Sequence, residues 1–149
     1  MWSSGDLSVQ RLHPDAVPLR RANPWDAGLD LATVERIVLE PGARGVAPTG
    51  WAIAVPPGWA GLVLPRSGVA ARDGVTLTNS PGLIDAGYRG ELRVLLINHG
   101  DRAVTLEPGD RVAQLVLTPI WDGQPTDVAE LPAGDGRGAG GFGSTGLGT

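Results

Sequence analysis

Gly74-Val75-Thr76-Leu77-Thr78-Asn79-Ser80-Pro81-Gly82-Leu83-Ile84-Asp85-Ala86-Gly87-Tyr88-Arg89-Gly90-Glu91 is the stretch around which the rest of the chain reads as support. Val75 and Leu77 alternate with Thr76 and Thr78 as in a half-buried strand. Asn79-Ser80-Pro81-Gly82 then supplies turn chemistry, and Leu83-Ile84 resume an apolar run. The stretch therefore reads as a hairpin. Asp85 follows the second run directly, and Tyr88, the single tyrosine of the chain, lies between Gly87 and Arg89. A ring, a carboxylate and a flexible backbone converge on one tip, an arrangement suited to a flat ligand. On residue types alone the segment is also an ordinary hairpin with a solvated acid.

Strand and turn signals continue on both sides. Upstream, residues 7–12, 37–39, 51–55 and 61–64 read as strands, with Pro41-Gly42 and Pro56-Pro57-Gly58 as stops. Downstream, residues 92–98 form an apolar run suited to a strand buried on both faces. Val104-Thr105-Leu106 alternates, Glu107-Pro108-Gly109-Asp110 turns the chain, and residues 111–117 make a last strand. Strict alternation there puts Val112, Gln114 and Val116 on one face and Arg111, Ala113 and Leu115 on the other. Periodicity ends at Trp121. With 23 Gly and 13 Pro in 149 residues, this pattern predicts an all-β, jelly-roll-like barrel over residues 1–134, followed by a flexible Gly-rich arm over 135–149. The length suits a single core. Trp2 and Trp25 are read as covers for apolar surface.

Composition excludes several classes. The net charge is −4 and all 12 basic residues are arginine. A nucleic-acid groove would show a basic excess, so no nucleic-acid partner is expected, whereas a small anion held by a few arginines is compatible. The chain has no Cys, which removes disulfides, zinc–thiolate sites and thiol nucleophiles and fits a reducing compartment. No apolar run approaches the roughly 20 residues needed to span a bilayer, and the first residues lack a basic start followed by an apolar segment. A soluble cytoplasmic protein without membrane contact is expected. His13 and His99 lie far apart and read as surface or turn residues, so a histidine-based triad or metal hydrolase lacks its ligands.

Four further segments carry chemistry. Ala27-Gly28-Leu29-Asp30-Leu31 is either a strand start with Asp30 capping a turn or an acidic site. Pro65-Arg66-Ser67-Gly68-Val69-Ala70 reads as a surface turn or a phosphate site: arginine neutralises phosphate, serine donates a hydrogen bond, and glycine lets backbone N–H groups approach. Gln114, alone among apolar neighbours in Gly109-Asp110-Arg111-Val112-Ala113-Gln114-Leu115-Val116, is a satisfied core amide or a ligand contact. The tail Asp135-Gly136-Arg137-Gly138-Ala139-Gly140-Gly141-Phe142-Gly143-Ser144-Thr145-Gly146 has the composition of a disordered terminus, yet it holds the single Phe beside an arginine and a Ser-Thr pair.

Taken in order, these five segments resemble the five motifs of the homotrimeric deoxyuridine triphosphatases, the dUTPases, and they span residues 27–146. The resemblance implies a homotrimer whose active sites draw the first, second and fourth motifs from one subunit, the third from another and the arm from the last. It also implies Mg²⁺-assisted hydrolysis of dUTP to dUMP and pyrophosphate by in-line attack of water on the α-phosphorus. Asp85 would orient and deprotonate that water and accept from the sugar 3′-hydroxyl. Arg66, Ser67, Gly68 and Gln114 would serve the phosphates, and Asp30 would meet the metal through water. Asn79, Leu83 and Ile84 would read the uracil edge, Tyr88 would pack beneath the sugar, and Arg93 is expected at the nucleotide. Phe142 would stack on uracil while Arg137, Ser144 and Thr145 hold the γ-phosphate. Departures are small: Ala86-Gly87 replaces a more usual polar–acidic pair, and Ser144-Thr145 keeps the hydroxyl donors. The alternatives are a dCTP deaminase of the same superfamily, whose own motifs are not seen, and a non-catalytic nucleotide sensor, which would be expected to lose Asp85 or the arm.

Overall fold

The computed structural model describes residues 5–136, 138 and 139. Their elements, in order, are β1 (Ser8–Arg11), β2 (Leu29–Ala32), β3 (Ile37–Leu39), β4 (Arg44–Ala54), β5 (Trp59–Leu64), α1 (Ser67–Asp73), β6 (Val75–Leu77), β7 (Gly82–Ile84), β8 (Glu91–Asn98), β9 (Val104–Leu106) and β10 (Arg111–Pro119). One antiparallel sheet has the order β1-β4-β8-β6, a second β2-β10-β5-β7, and β3 pairs with β9 in a ribbon. Short strands result because Gly and Pro interrupt nearly every apolar run. This is the all-β jelly-roll arrangement expected, with the hydrogen bonding divided among three sheets.

Both large sheets turn alternate side chains inward onto one core. Leu31, Ala113 and Leu115 of the second sheet meet Ala47, Leu92, Val94 and Leu96 of the first, with Leu39 and Leu106 of the ribbon closing one end. Burying each such Leu or Val side chain contributes about 1.5–3 kcal/mol. One buried polar residue ties the elements together. The Asn98 amide donates to the carbonyls of Leu39 (2.9 Å) and Arg102 (2.8 Å), and its Oδ1 accepts from Gly100 N–H (2.8 Å).

Five expectations change. The central stretch is not a hairpin: β6 pairs with β8 and β7 with β5, so the chain crosses from one sheet to the other between Leu77 and Gly82. Strand β8 is covered on one face only, because Leu92, Val94, Leu96 and Asn98 are buried while Arg93 and Leu95 point outward. A bulge between Arg111 and Ala113 breaks strict alternation in β10, so Val112 joins Ala113 and Leu115 in the core. The segment after Arg66 is the short helix α1, not an open turn. Its Val69-Ala70-Ala71-Arg72 run is helix-compatible, and Gly74 ends it in the left-handed region (φ 69°), where its N–H donates to the Ala70 carbonyl. Trp25 covers nothing, being 98% exposed. His13 sits in a turn, its Nδ1 accepting from Asp15 N–H.

At the end of α1, Asp73 accepts two hydrogen bonds from Arg72 (2.6 and 2.9 Å) and lies 3.5 Å from Arg102. The Arg72 hydrogen bond outweighs the cost of partial burial and holds the Asp73 carboxyl below its ordinary value. A lowered folded value means that the stabilisation is complete above the unfolded value of about 3.9 and is lost as pH falls through the folded one. Urea midpoints of the chain and of Asp73→Asn should therefore differ at pH 7 and converge as the pH falls through the lowered folded value; a constant difference would remove Asp73 from the acid response. Asn98→Ala should lower stability by about 2–3 kcal/mol in the same assay, since two carbonyls and one N–H lose their partner in the interior.

Candidate active site

Strand β10 runs between β2 and β5, and its register assembles one end of the sheet. Gln114 stands opposite Asp30 of β2 on one side and Leu64 of β5 on the other. Pro65, Arg66 and Ser67 follow Leu64 directly, so three distant segments arrive together. Gln114 Nε2 donates to the Pro65 carbonyl (2.9 Å). Arg66 Nε lies 3.5 Å from Asp30 Oδ1, and Arg111 Nη1 donates to Asp30 Oδ2 (3.0 Å). Arg66 Nη1 also donates to the Arg111 carbonyl (3.1 Å). One carboxylate thus carries two guanidinium groups. All three are partly open to water, so each pair contributes only about 0–1 kcal/mol to stability; the consequence is orientation.

Asp30, Arg66, Ser67, Gly68 and Gln114 line one cleft of about 370 Å³, walled opposite by the 22–28 segment. That wall is held by local hydrogen bonds. Asp26 Oδ2 accepts from Asn23 N–H (2.8 Å) and Nδ2 (3.0 Å), and Arg21 Nε donates to the Asp26 carbonyl (2.8 Å). Gly28 is required by contact: a Cβ there would lie 2.5 Å from Gln114 Oε1 and 3.0 Å from Gln114 Cβ. Two site residues escape the sequence reading. Arg111 is placed beside Asp30 by the bulge, which strict alternation cannot reveal, and Gly28 matters through a contact made 86 positions away, with Gln114. The only signal for either is its place inside a segment already singled out.

The remaining expected residues lie elsewhere. Asp85, Tyr88 and Arg93 do not line that cleft. In the antiparallel β5–β7 pair, Val63 faces Gly82 and Gly61 faces Ile84. The chain therefore leaves β7 toward Asp85 at the Trp59 end, whereas Arg66 emerges from the Leu64 end; Gly61 and Leu64 alone are roughly 10 Å apart at about 3.3 Å per residue. Asp85 is exposed, and among the described residues its carboxylate makes no hydrogen bond or ion pair. Its carbonyl accepts from Tyr88 N–H (3.0 Å), and the Tyr88 hydroxyl donates to the Glu91 carbonyl (2.9 Å). Arg89 Nη1 donates to the carbonyls of Ala86 and Tyr88 (both 2.7 Å), so this turn is braced from within. The Asn79 amide packs over Gly82, with Nδ2 3.3 Å from where a Cβ would stand. Leu83 points to solvent while Ile84 packs on the core. Arg93 is exposed, 4.0 Å from Glu91. Arg137, Phe142, Ser144 and Thr145 lie outside the described residues.

A sequence model of the dUTPase family matches residues 15–146. The chain belongs to the dUTPase family. Among similar proteins, a deoxyuridine 5′-triphosphate nucleotidohydrolase of Anaeromyxobacter sp. is 53% identical over 143 residues, 94% of this chain and 97% of its own. The Staphylococcus bacteriophage 80alpha dUTPase solved with dUpNHpp superposes with a TM-score of 0.90 at 32% identity, covering 97% of this chain and all of that one. A dUTPase mutant of the S. aureus phage phi11, solved for the coordination of a structural Mg(II) ion, gives a TM-score of 0.79 at 30% identity over 85% and 98% of the two chains. Membership of this family agrees with the order of all five segments, and among the described residues no helix is long and apolar enough to cross a membrane.

Gly28→Ala tests the packing beneath the dUTPase cleft. The added methyl group must displace the Gln114 amide from the Pro65 carbonyl, so nucleotide hydrolysis should fall by about tenfold or more, an effect of about 1.4 kcal/mol. The melting temperature should drop by only a few degrees; an unchanged rate would free Gln114 from its assigned position.

Proposed function

We propose that the protein hydrolyses dUTP to dUMP and pyrophosphate, with Asp85 as the base that orients and deprotonates the attacking water. The observation that carries this reading is the convergence of Asp30, Arg66, Ser67 and Gln114 on one cleft of a dUTPase-family chain. Water oxygen would bond to the α-phosphorus as the bond to the bridging oxygen breaks, the proton passing to Asp85 and the electron pair leaving with pyrophosphate. Arg66 and the Ser67 hydroxyl would hold the phosphates, and Gln114 would fix the geometry at the attacked phosphorus. Asn79 with the backbone at Leu83 and Ile84 would read the uracil edge, and Tyr88 would pack beneath the deoxyribose. Arg93 is assigned to the same nucleotide. The 135–149 arm would close over the site, Phe142 on the base and Arg137, Ser144 and Thr145 on the γ-phosphate.

The donor set bears on magnesium. Among the described residues no group of three His, Asp or Glu side chains could hold a metal ion, and Asp30 is already engaged by two arginines. This fits an ion carried mainly by phosphate oxygens and water, with Asp30 accepting from its hydration shell. When bound, Mg²⁺ would supply charge neutralisation along the triphosphate.

A complete site requires more than one copy of the chain on this reading, since Asp85 and Arg66 emerge from opposite ends of β5. The homotrimer is also supported by the outward apolar pair of Val46 and Leu95, which face each other across β4 and β8 and are 42% and 38% exposed. Such an enzyme in the cytoplasm would keep uracil out of DNA and supply dUMP for thymidylate synthesis.

Pyrophosphate release from dUTP, dCTP, dTTP and UTP, measured in parallel with and without magnesium, tests the reaction. Metal-stimulated release from dUTP alone is expected. Binding of dUTP without release would point to a nucleotide sensor, and deamination of dCTP to the deaminase branch. Asp85→Asn and Arg66→Ala should each lose about 100-fold or more of the rate, and co-assembly of the two variants should restore a fraction of it. Absence of restoration would sink the shared site.

A further inference from the structure

A second cleft is larger than the phosphate cleft. It lies across Asp30 from the Arg66–Ser67–Gln114 cleft, encloses about 600 Å³, and is lined by Arg20, Arg21, Arg111 and Asp30 above a wall of Val17 and Pro18. The two clefts share Ala22 and Asp30. Its charge is lopsided in a chain whose net charge is −4. Three guanidinium groups meet one carboxylate, and that carboxylate is already neutralised by Arg66 and Arg111. Arg20 makes no side-chain hydrogen bond or ion pair among the described residues. Arg21 spends only its Nε, on the Asp26 carbonyl, leaving both terminal nitrogens free of protein partners among those residues.

The backbone that presents these arginines is fixed from both sides. Trp51 Nε1 donates to the Val17 carbonyl (2.7 Å), and the Arg11 guanidinium caps the Trp51 ring at 4.5 Å. Asp30 N–H donates to the Arg20 carbonyl (3.0 Å), tying the segment to β2. Two guanidinium groups with free terminal nitrogens on a tethered segment, Arg20 and Arg21, converging with the Asp30-paired Arg111 of β10, suit a compact polyanion, because each guanidinium presents a planar fork that matches two phosphate oxygens. Orthophosphate gathers its four oxygens round one phosphorus, whereas a condensed phosphate carries more charge and spreads its oxygens over two centres, reaching arginines that stand further apart.

We propose that the Arg20–Arg21–Arg111 cleft is a second anion site that takes inorganic pyrophosphate. It receives the leaving group after cleavage, on the far side of Asp30 from the assigned phosphate cleft, and holds it apart from incoming nucleotide. The inference depends on the proposed hydrolysis only for the origin of the pyrophosphate; the cleft and its charge stand independently of it. Occupied, the site gives pyrophosphate inhibition that additional dUTP does not relieve.

The test is calorimetric titration of inorganic pyrophosphate, with orthophosphate as control, into the full chain in the presence of saturating dUpNHpp, and into the Arg20→Ala/Arg21→Ala variant under the same conditions. Pyrophosphate should bind alongside the analogue, more tightly than orthophosphate, and the variant should lose about tenfold or more in affinity. Both substituted residues are exposed, so the variant's melting curve should match the parent's; the two single variants provide the readout if it does not. Displacement of pyrophosphate by dUpNHpp, equal binding by the double variant, or no binding to the parent would each overturn the second site. Turnover of dUTP is scored separately. Normal turnover without this binding would sink the second site alone, and binding without turnover would sink the proposed reaction while leaving the cleft intact.

Discussion

The pairing of β10 with β2 on one edge and β5 on the other is the constraint from which the site follows. Each strand alone is a mostly apolar run, with Asp30 in β2 and Gln114 in β10 as polar exceptions. Locked in antiparallel register, they bring Asp30, Gln114 and the Pro65–Ser67 connection to one edge of the sheet. Backbone ladders tolerate no partial slip, because moving β10 by one residue would exchange Ala113 and Leu115 in the core for Gln114 and Val116. The packing that stabilises the fold therefore also positions the polar groups.

The bulge near Arg111 adds what regular pairing cannot provide. By turning Val112 inward it leaves Arg111 free to reach Asp30 Oδ2, while Arg66 stands at Oδ1. A carboxylate between two arginines is held in place without needing to be strong, since exposed ion pairs contribute little to stability. It also stands between two clefts that share the Asp30 carboxylate, one of them lined by Arg20, Arg21 and Arg111. The antiparallel order then separates Asp85 from this cluster, which is why the proposed reaction draws on neighbouring copies.

Much of the fold was legible along the chain. The strands at 37–39, 61–64 and 104–106 were readable because β-branched and leucine runs are bounded by Gly and Pro, a local signal. The resemblance to the dUTPases was legible because each motif is contiguous, so Asp30, Arg66 and Gln114 could be singled out before their distances were known. What failed to read was of another kind. The apparent hairpin at 74–91 splits between two sheets, the strand at 92–98 has one open face, and Trp25 stands in solvent.

Residue order by itself determined the all-β class, the turn positions and the identity of the acidic, basic and amide groups with chemistry to offer, because those depend on side-chain type and on periodicity within a few residues. Tertiary structure alone decided which of them meet. Strand partners, the bulge that redirects Arg111, the missing Cβ of Gly28 beneath Gln114 and the tethered Arg20–Arg21 segment all arise from contacts between parts of the chain far apart in sequence, and local propensity carries no information about such contacts.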